Sequence, residues 1–384
     1  MKITFVSNFL NHHQIPLCDG FAEIPGVEFT FVSTENVPQE RIRLGYRQDF
    51  AHISYYREAI APQEQLAAEQ LCFESDVVII GSAPMALVER RLKAGKLTFS
   101  YNERWFKQGF WRHPGDIYRA FRAFTCHNHP NYYQLCASAY TAGDSNRVFA
   151  FPGRKLRWGY FPAVKQHDTE MLMAAKEPAT IIWVGRFLGW KHPEKAVEVA
   201  ARLKEDGVPF RLSMIGNGEE EADIQALVKQ YGLEEQVHLL GSMSPEQVRM
   251  HMERSSVFLF TSDFGEGWGA VLNEAMNSGC AAVASHAIGS APYLINHGKN
   301  GLIYQNDDME QLYRYTKQLL TDAALREKVG REAYKTMIGC WNGREAARRL
   351  HALAEAKLTG QALPVYQDGP MSCDHGKVKQ NGKF

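Results

Sequence analysis

Short apolar runs, rich in β-branched and aromatic residues, alternate with amphipathic segments along most of the chain. Runs of the first kind predict buried strands, and apolar residues at helical spacing predict helices. Such an alternation favours parallel sheets with helices on both faces. The predicted strands are 2–7, 27–33, 76–80, 96–101, 133–137, 180–184, 210–215, 237–240, 257–261, 281–284 and 301–304. The predicted helices are 12–23, 84–94, 139–146, 193–205, 219–231, a short one from 245, 269–278, 309–320, 323–337 and 344–358.

The alternating series occurs twice, and residues 153–178, which mix Gly, Pro and charge, are the predicted hinge between the two series. A chain of 384 residues is long enough for about two domains with separate cores. We predict Rossmann-like domains at 1–160 and 161–340. Residues 341–384 are predicted to form a helix and a tail that pack back toward the N-terminal domain. The polar, Gly-rich end of that segment fits either a loose tail or an extended strap.

Composition describes an ordinary globular protein. The 43 basic and 43 acidic side chains cancel, so overall charge does not draw the chain to nucleic acid. No apolar run approaches the roughly 18 residues of a membrane span, and the N-terminus reads as a strand rather than a signal peptide. Seven scattered cysteines without a C-x-x-C pair favour a reducing compartment. We therefore predict a cytoplasmic protein.

The stretch 256–284 combines a strand, a Gly-rich bend and a helix start. Free N–H groups and the helix dipole at such a place favour an anion, and Gly267 and Gly269 let main chain approach a ligand. The carboxylates of Glu266 and Glu274 would repel phosphate unless they bind hydroxyls. A ligand with both phosphate and sugar hydroxyls reconciles the two features. The alternative is a surface loop before a helix with one solvated glutamate.

The spacing of these glutamates, E-x7-E from Glu266 to Glu274, resembles the motif of the retaining family 4 glycosyltransferases. In that family the first glutamate contacts the donor sugar and the second the ribose. The resemblance implies an α/β GT-B architecture, in which two Rossmann-like α/β/α domains face each other across a cleft. It also implies a nucleotide-diphospho-sugar donor, UDP- or GDP-sugar, in the C-terminal half and a sugar or lipid-linked glycan acceptor in the N-terminal half.

Two cations follow the predicted strand 180–184. Arg186 and Lys191 could clamp a diphosphate leaving group, the arginine through its planar fork and the lysine as a point charge. With Gly185 they are similar to the family's G-R-x-x-x-x-K segment. A solvated loop with ordinary surface charge is the alternative. The chain has no Asp-x-Asp motif, so the sequence does not require a metal ion or another cofactor.

Two further strand ends carry glycines. Gly216 and Gly218 lack the third glycine of a dinucleotide fingerprint, since Glu221 takes that position. The family has a similar Gly-x-Gly beside the phosphates, and its segment matching Gly241 to Met243 touches the nucleotide base. A plain strand and turn remains the alternative at both places. The predicted donor-binding residues are Gly185, Arg186, Lys191, Gly216, Asn217, Gly241, Met243, Glu266, Gly267, Trp268, Gly269 and Glu274.

The N-terminal half offers less specific candidates. His13, next to His12, could be a general base, an acceptor contact or the polar start of a helix. Glu103 follows a predicted strand and could face the cleft or begin a helix. A metal site at the histidines is not expected without nearby Cys, Asp or a His at i+4.

Residues 104–124 carry five Arg or Lys, one acid and seven aromatic residues. Such a segment suits the surface of an anionic membrane, where it would lie near a lipid-linked acceptor. Stacking on single-stranded nucleic acid would give the same composition, but the rest of the chain has no nucleic-acid module. A core-facing aromatic stripe with snorkelling arginines is the other alternative.

Together these features predict a retaining, metal-independent glycosyltransferase, in a setting of bacterial surface polysaccharide or glycolipid synthesis. The predicted catalytic residues are Glu266, Arg186, Lys191, His13 and Glu103. A nucleotide-sugar 2-epimerase, which uses a similar cleft, and a non-catalytic sugar-nucleotide-binding protein are the alternatives.

Overall fold

The structure is a computed structural model that describes residues 1–39, 42, 49–50, 52–107, 109–111 and 114–378. The chain forms two compact units. The N-terminal unit contains residues 1–163 and 340–378, and the C-terminal unit contains residues 164–339.

Each unit is built on one sheet in which all described strand pairs are parallel. The N-terminal sheet contains β1 (Lys2–Ser7), β2 (Glu28–Ser33), β3 (Tyr56–Glu58), β4 (Val77–Ile80), β5 (Thr98–Asn102), β6 (Tyr132–Cys136) and β7 (Lys155–Arg157). The C-terminal sheet contains β8 (Glu177–Val184), β9 (Arg211–Ile215), β10 (Val237–Leu239), β11 (Ser255–Phe260), β12 (Ala281–Ser285) and β13 (Leu302–Tyr304).

Helices connect the strands and pack on the sheets. Those of the first series are α1 (Ile15–Ala22), α2 (Pro62–Glu74), α3 (Ala86–Lys93), α4 (Pro114–Ala120), a π-helix (Phe121–Thr125) and α5 (Thr141–Arg147). The C-terminal unit has α6 (Thr169–Ala174), a 3₁₀ turn (Gly189–Lys191), α7 (Pro193–Glu205), α8 (Glu221–Gln230), α9 (Pro245–Arg254), α10 (Val271–Asn277), α11 (Ala291–Leu294), α12 (Met309–Thr321) and α13 (Ala323–Gly339). Helix α14 (Gly343–Thr359) follows.

Strand order places the expected ligand positions. The sheets have the orders β3-β2-β1-β4-β5-β6-β7 and β10-β9-β8-β11-β12-β13. In each, the order reverses beside the first strand, between β1 and β4 and between β8 and β11. Ligands of open parallel sheets bind beyond the carboxyl ends of the strands at such a reversal. The residues that follow β8 and β11 are therefore the first place to look for a site.

Helix α14 belongs to the N-terminal unit and packs closely on α1. A Cβ atom on Gly343 would lie 2.5 Å from the carbonyl oxygen of Pro16, and one on Gly20 would lie 3.0 Å from Cα of Arg344. Small residues on both helices thus allow their backbones to approach each other.

The described part of the C-terminal tail is a strap along β7. The Met371 N–H donates to Arg157 O, and the Arg157 N–H donates to Ser372 O, both at 2.8 Å. The Asp374 N–H donates to Lys155 O at 2.9 Å, and Met371 is only 2% exposed. Of the two sequence interpretations, the extended strap is the one the structure supports over these residues.

Several elements differ from the sequence prediction. Helices α4 and α11 and the π-helix were not predicted. The predicted hinge 153–178 contains β7 and α6, and α2 was not predicted. Only Ala68 and Cys72 are buried in α2, so its apolar periodicity is weak. Residues 36–61, which the pattern did not place, lie partly outside the described residues and otherwise include β3. No helix among the described residues is long and apolar enough to cross a membrane.

Candidate functional site

The loops after β8, β9 and β10 are held together by main-chain hydrogen bonds. The Gly185 N–H donates to Ile215 O at 3.0 Å, and the Phe187 N–H donates to Asn217 O at 2.8 Å. The Gly216 N–H reaches Gly241 O at 2.9 Å. Three of the predicted donor-binding segments therefore form one connected wall at the carboxyl ends of neighbouring strands.

Glycine is required where these loops cross. Gly216 has a φ of 135°, and a Cβ there would lie 1.9 Å from Gly185 O. A Cβ on Gly218 would lie 2.3 Å from Phe187 O. Backbone atoms cannot yield to a side chain as a flexible group can, so both positions are restricted to glycine. The Gly-x-Gly sequence thus serves close packing of two loops.

Lys191 and Glu266 meet directly across the reversal between β8 and β11. The Lys191 ammonium forms an ion pair with Oε2 of Glu266, and the two side chains are only 13% and 10% exposed. The Ser262 hydroxyl donates to the same oxygen at 3.1 Å. Oε1 of Glu266 has no partner among the described residues, so it is available to a hydroxyl. The structure thus places two of the predicted donor-binding residues side by side.

The backbone of Lys191 is held by hydrogen bonds from residues in and beside strands β8 and β11. The Thr261 hydroxyl donates to Lys191 O at 2.8 Å, and the buried Trp183 indole donates to that hydroxyl at 2.9 Å. The Lys191 ammonium lies 4.5 Å from the centroid of the Trp190 ring and 5.6 Å from that of Phe260. Residues in or directly beside the two strands therefore fix the position of the Lys191 side chain.

Arg186 lies two residues beyond β8 and is exposed. Within the described part of the chain its side chain has no hydrogen bond or ion pair. Because Lys191 already faces a carboxylate, Arg186 supplies the uncompensated positive charge at this strand end. An anion placed here would gain most from Arg186.

Glu274 occupies the first turn of α10, nearer the helix start than the sequence suggested. Its carboxylate has no hydrogen bond or ion pair among the described residues. Burial raises the pKa of Glu274, and the charge of Arg249 partly opposes that rise. The Arg249 guanidinium, itself buried, donates to Asn277 Oδ1 one turn further along α10. The helix that carries Glu274 is thereby tied to α9.

Gly269 and Trp268 position that helix rather than contact a ligand through side chains. Gly269 has a φ of 81°, and a Cβ there would lie 2.8 Å from the Phe260 ring. Trp268 is 1% exposed, and its indole donates to Asn273 Oδ1 at 2.8 Å. Trp268 is predicted to bind the donor, but its ring is part of the core and does not face a ligand. Only its main chain remains available.

The remaining donor candidates are less constrained. Asn217 is exposed, Gly267 is buried, and Gly241 and Met243 are half-buried beside β10. Gly241 has a φ of 69°, and no atom would meet a Cβ there within 4 Å. Asn217, Gly241 and Met243 are thus accessible to a ligand, whereas Gly267 is not, and no side-chain geometry assigns a role to any of the four.

In the N-terminal unit, His13 and Glu103 meet through Tyr160. The Tyr160 hydroxyl donates to Oε1 of Glu103, and the Lys107 ammonium donates to Oε2 at 2.8 Å. The His13 ring stacks on Tyr160 with centroids 5.9 Å apart. Burial, with a smaller effect of His12, lowers the pKa of His13 to about 3. His13 is therefore neutral near pH 7, and the lowered pKa makes it a weak base, so it suits a hydrogen-bonding role better than that of a general base.

No cluster of three or more His, Cys, Asp or Glu that could hold a metal ion occurs among the described residues.

The model of the family described as glycosyl transferases group 1 matches residues 165–336, nearly the whole C-terminal unit. Residues 165–336 are therefore similar to the members of this family. The matched range contains every predicted donor-binding residue, from Gly185 to Glu274.

Several curated proteins that are similar to this chain are named as glycosyltransferases. WcaL of Escherichia coli K12, named for colanic acid biosynthesis, is 34% identical over 195 residues, which are 46% of this chain and 47% of WcaL. The N-acetylgalactosamine-N,N'-diacetylbacillosaminyl-diphospho-undecaprenol 4-alpha-N-acetylgalactosaminyltransferase of Campylobacter jejuni is 30% identical over 184 residues, 48% of this chain and 45% of that protein. The chain thus spans about half the length of these curated relatives.

A solved structure shares the fold of the whole chain. HepE of Anabaena, crystallised in complex with UDP, matches with a TM-score of 0.69 at 14% identity, over 94% of this chain and 100% of HepE. Together with the two parallel α/β sheets, this likeness confirms the predicted GT-B class of fold.

The basic aromatic segment 104–124 divides into two parts. Trp105 stacks on Phe124 with centroids 4.5 Å apart, and Phe106 is 4% exposed. Trp111 and Tyr118, by contrast, are 81% and 64% exposed. The predicted aromatic core stripe is therefore present in part of the segment, and the other part faces solvent. Arg112 lies outside the described residues.

Three contributors to these sites were not predicted from the sequence. Tyr160 lay in the segment interpreted as a hinge, and Arg249 looked like an ordinary helix charge. His192 bonds two carboxylates on different segments. Only His192 offered a signal, since it directly follows the predicted cation Lys191.

Proposed function

We propose that this protein is a retaining glycosyltransferase of the family 4 type. It transfers a sugar from a nucleotide-diphospho-sugar to an acceptor hydroxyl in the assembly of a bacterial surface polysaccharide or glycolipid. The observation that carries the proposal is the Lys191–Glu266 pair with the free Arg186, at the strand-order reversal of a unit that matches the model of the glycosyl transferases group 1 family.

In the proposed mechanism, Arg186 binds the departing diphosphate and Lys191 adds to its neutralisation. Electrostatic stabilisation of the leaving group is the main catalytic contribution of such a site. Glu266, held by Lys191 and Ser262 through one oxygen, offers Oε1 to a hydroxyl of the donor sugar. Glu274 accepts hydrogen bonds from the ribose.

The stereochemical course rests on the resemblance to family 4. The C1–O bond to the diphosphate breaks, the acceptor oxygen bonds to C1 on the same face, and the leaving phosphate oxygen takes the acceptor proton. No residue side chain is needed as a nucleophile in this scheme, and no metal ion takes part. We propose that UDP is the first nucleotide to test, because the structural neighbour HepE was crystallised with UDP.

The acceptor is proposed to be a sugar or a lipid-linked glycan, bound by the N-terminal unit. The name of the Campylobacter relative specifies a diphospho-undecaprenol acceptor, which supports this class. His13, Glu103 and Tyr160 are the proposed acceptor contacts.

A thermal-shift screen over UDP-, GDP-, ADP- and CMP-sugars tests the donor class, followed by a transfer assay with the stabilising donor. We expect one nucleotide to raise the melting temperature and its sugar to appear on an acceptor with unchanged anomeric configuration by NMR. EDTA should leave the rate unchanged. Conversion of the donor without any acceptor would instead identify an epimerase, and binding without turnover would identify a non-catalytic protein.

We further propose that the segment 104–124 contacts an anionic membrane. Tyr118, Phe121 and Arg122 are exposed and spaced at i, i+3 and i+4, so they share one face of the helical stretch. Aromatic rings beside arginines suit the interface of anionic lipid. Arg119 adds charge, although it pairs with Asp116.

Co-sedimentation with vesicles of phosphatidylglycerol and phosphatidylcholine at low salt tests this surface. Binding should weaken when Phe121 and Arg122 are both changed to Ala, and also at high salt. Leu66→Ala is the matched control, since Leu66 is an apolar residue of the same unit that is 68% exposed. Failure of the unaltered protein to bind these vesicles would exclude the membrane contact without affecting the proposed activity.

A further inference from the structure

The His192 ring bridges two carboxylates on different parts of the C-terminal unit. Nδ1 lies 2.7 Å from Oε1 of Glu194, in the first turn of α7. Nε2 lies 3.2 Å from Oδ2 of Asp263, in the loop after β11. One side chain thus connects the segment after β8 with the segment that leads to Glu266.

This geometry determines the charge of the ring. A neutral imidazole has one N–H and one lone pair, so one of its nitrogens would direct a lone pair at a carboxylate oxygen. Only the imidazolium donates at both nitrogens. Charge-assisted bonds of this kind are stronger than those between neutral groups.

The backbone conformation of His192 is unfavourable for a residue with a side chain, so the two hydrogen bonds must offset its cost. Its φ of 51° and ψ of 55° place it in the left-handed region, which costs a residue with a Cβ roughly 1 kcal/mol. Glycine would adopt that conformation without penalty. A histidine there is stabilised by its contacts with Glu194 and Asp263.

Asp263 transmits this connection to Glu266. The Asp263 N–H donates to Trp190 O at 3.0 Å, and Asp263 O accepts from the Glu266 N–H at 3.1 Å. The Asp263 carboxylate also accepts from the Gly265 N–H at 2.7 Å. The loop therefore begins at Asp263 and ends at Glu266. His192 binds Asp263, and Lys191 binds Glu266.

We propose that His192 is a positioning residue of the donor site: as an imidazolium it fastens Asp263 to the start of α7 and so holds Glu266 against Lys191. This inference rests on the proposed function for its effect on the donor, and on the two hydrogen bonds for the state of the ring.

The charges around the ring give its pH dependence a sign. The hydrogen bond to Glu194 is the largest cause of a raised pKa for His192; Asp263 also raises the pKa, whereas burial and Lys195 lower it. Glu220, before α8, and Asp307, before α12, also feel the His192 charge. Asp307 pairs with Lys195 at 2.6 Å. The bridge is thus present at low pH and is lost as the pH rises through the raised pKa.

NMR of histidine-labelled full-length protein tests the ring without any donor. The His192 resonances are those missing in His192→Gly, a variant whose backbone suits the positive φ. We expect both ring nitrogens to be protonated at pH 7 and the ring to titrate above the ordinary histidine pKa of about 6.5. A ring that is neutral at pH 7 would overturn the inference.

Donor affinity provides the second test. Between pH 6 and pH 9 the Kd for the stabilising nucleotide-sugar should rise about five- to tenfold in the unaltered protein. His192→Gly and Asp263→Asn should bind at pH 6 as weakly as the unaltered protein does at pH 9. His192→Gly with native affinity at pH 6 and an intact fold by circular dichroism would also overturn the inference. If no nucleotide-sugar binds at any pH, the proposed function fails while the NMR result still decides the state of His192.

Discussion

Glu274 is a carboxylate whose ionised form is costly in this fold. Burial raises its pKa, and the nearby charge of Arg249 only partly compensates. A folded-state pKa above the unfolded value means that the ionised side chain destabilises the protein, and that this cost disappears as the pH falls through the raised pKa. The presence of Glu274 at a position where its charge is unfavourable for stability therefore favours a role in ligand binding.

Glu274→Gln should therefore separate stability from binding. We expect a higher melting temperature at pH 7 to 8, because the buried charge is removed, and a gain that shrinks toward pH 4. The KM for the donor should rise about tenfold, since a charged hydrogen bond to the ribose becomes a neutral one. Melting curves over pH and donor kinetics measure both effects. A loss of stability at neutral pH would show that the carboxylate has a structural role instead.

Arg186 has the opposite character, because its charge is exposed and free among the described residues. Arg186→Ala should cost little stability but lower kcat about 100- to 1000-fold, the typical effect of removing a group that stabilises developing charge. Arg202→Ala is the matched control, since Arg202 is a surface arginine of the same unit that pairs with Glu310. Steady-state kinetics decide the matter. Unchanged turnover in Arg186→Ala would contradict its assignment to the leaving group.

At the level of elements, the donor wall depends on the crossing of the loops after β8 and β9. Gly218→Ala would put a Cβ 2.3 Å from Phe187 O, so the two loops must separate. We expect a destabilisation of about 1 to 3 kcal/mol and weaker donor binding, measured by chemical unfolding and calorimetry. Gly339→Ala serves as control, because nothing lies within 4 Å of a Cβ there. Equal stability of the two variants would mean that the crossing is not rigid.

Element prediction from the sequence succeeded where burial was complete on both faces. Val77–Ile80 and Ala281–Ser285 are continuous apolar or small-residue strands, and their pattern identified them to within a residue. Helix α7 was predicted with both its ends, since Pro193 begins it and a full apolar face follows. In contrast, β7 is three residues long and is paired by β6 and the strap, so tertiary contacts rather than local pattern define it.

The sequence predicted the site where residues belong to recognisable motifs, but it did not predict contacts between residues outside such motifs. The motifs assigned both Lys191 and Glu266 to the donor site, and the two side chains meet because β8 and β11, which they follow, are neighbouring strands. The contact between Glu103 and Tyr160 was not predicted, because Tyr160 belongs to no recognised motif and lay in the predicted hinge. Burial of the Trp268 ring was also invisible, since a tryptophan in a Gly-rich bend looks the same whether it faces a ligand or the core.

Over the whole molecule, the two units have separate sheets and cores, and each carries one of the two clusters of candidate residues. Within the C-terminal unit, Arg186, Lys191 and Glu266 are the proposed contacts of the donor. The cluster of Glu103 and Tyr160 is built entirely from the N-terminal unit. If the units divide the work as proposed, changes in the second cluster should leave nucleotide affinity alone.

Glu103→Gln tests that division. Loss of the carboxylate weakens its bonds from Tyr160 and Lys107, so kcat/KM for the acceptor should fall about 10- to 100-fold, while the Kd of the nucleotide-sugar stays within about twofold. Glu89→Gln, an exposed member of an ion pair with Lys93 in the same unit, should change neither quantity. Calorimetry gives the nucleotide affinity, and initial rates over acceptor concentration give kcat/KM. A parallel loss of nucleotide binding in Glu103→Gln would refute the division, because it would place the carboxylate at the donor rather than at the acceptor.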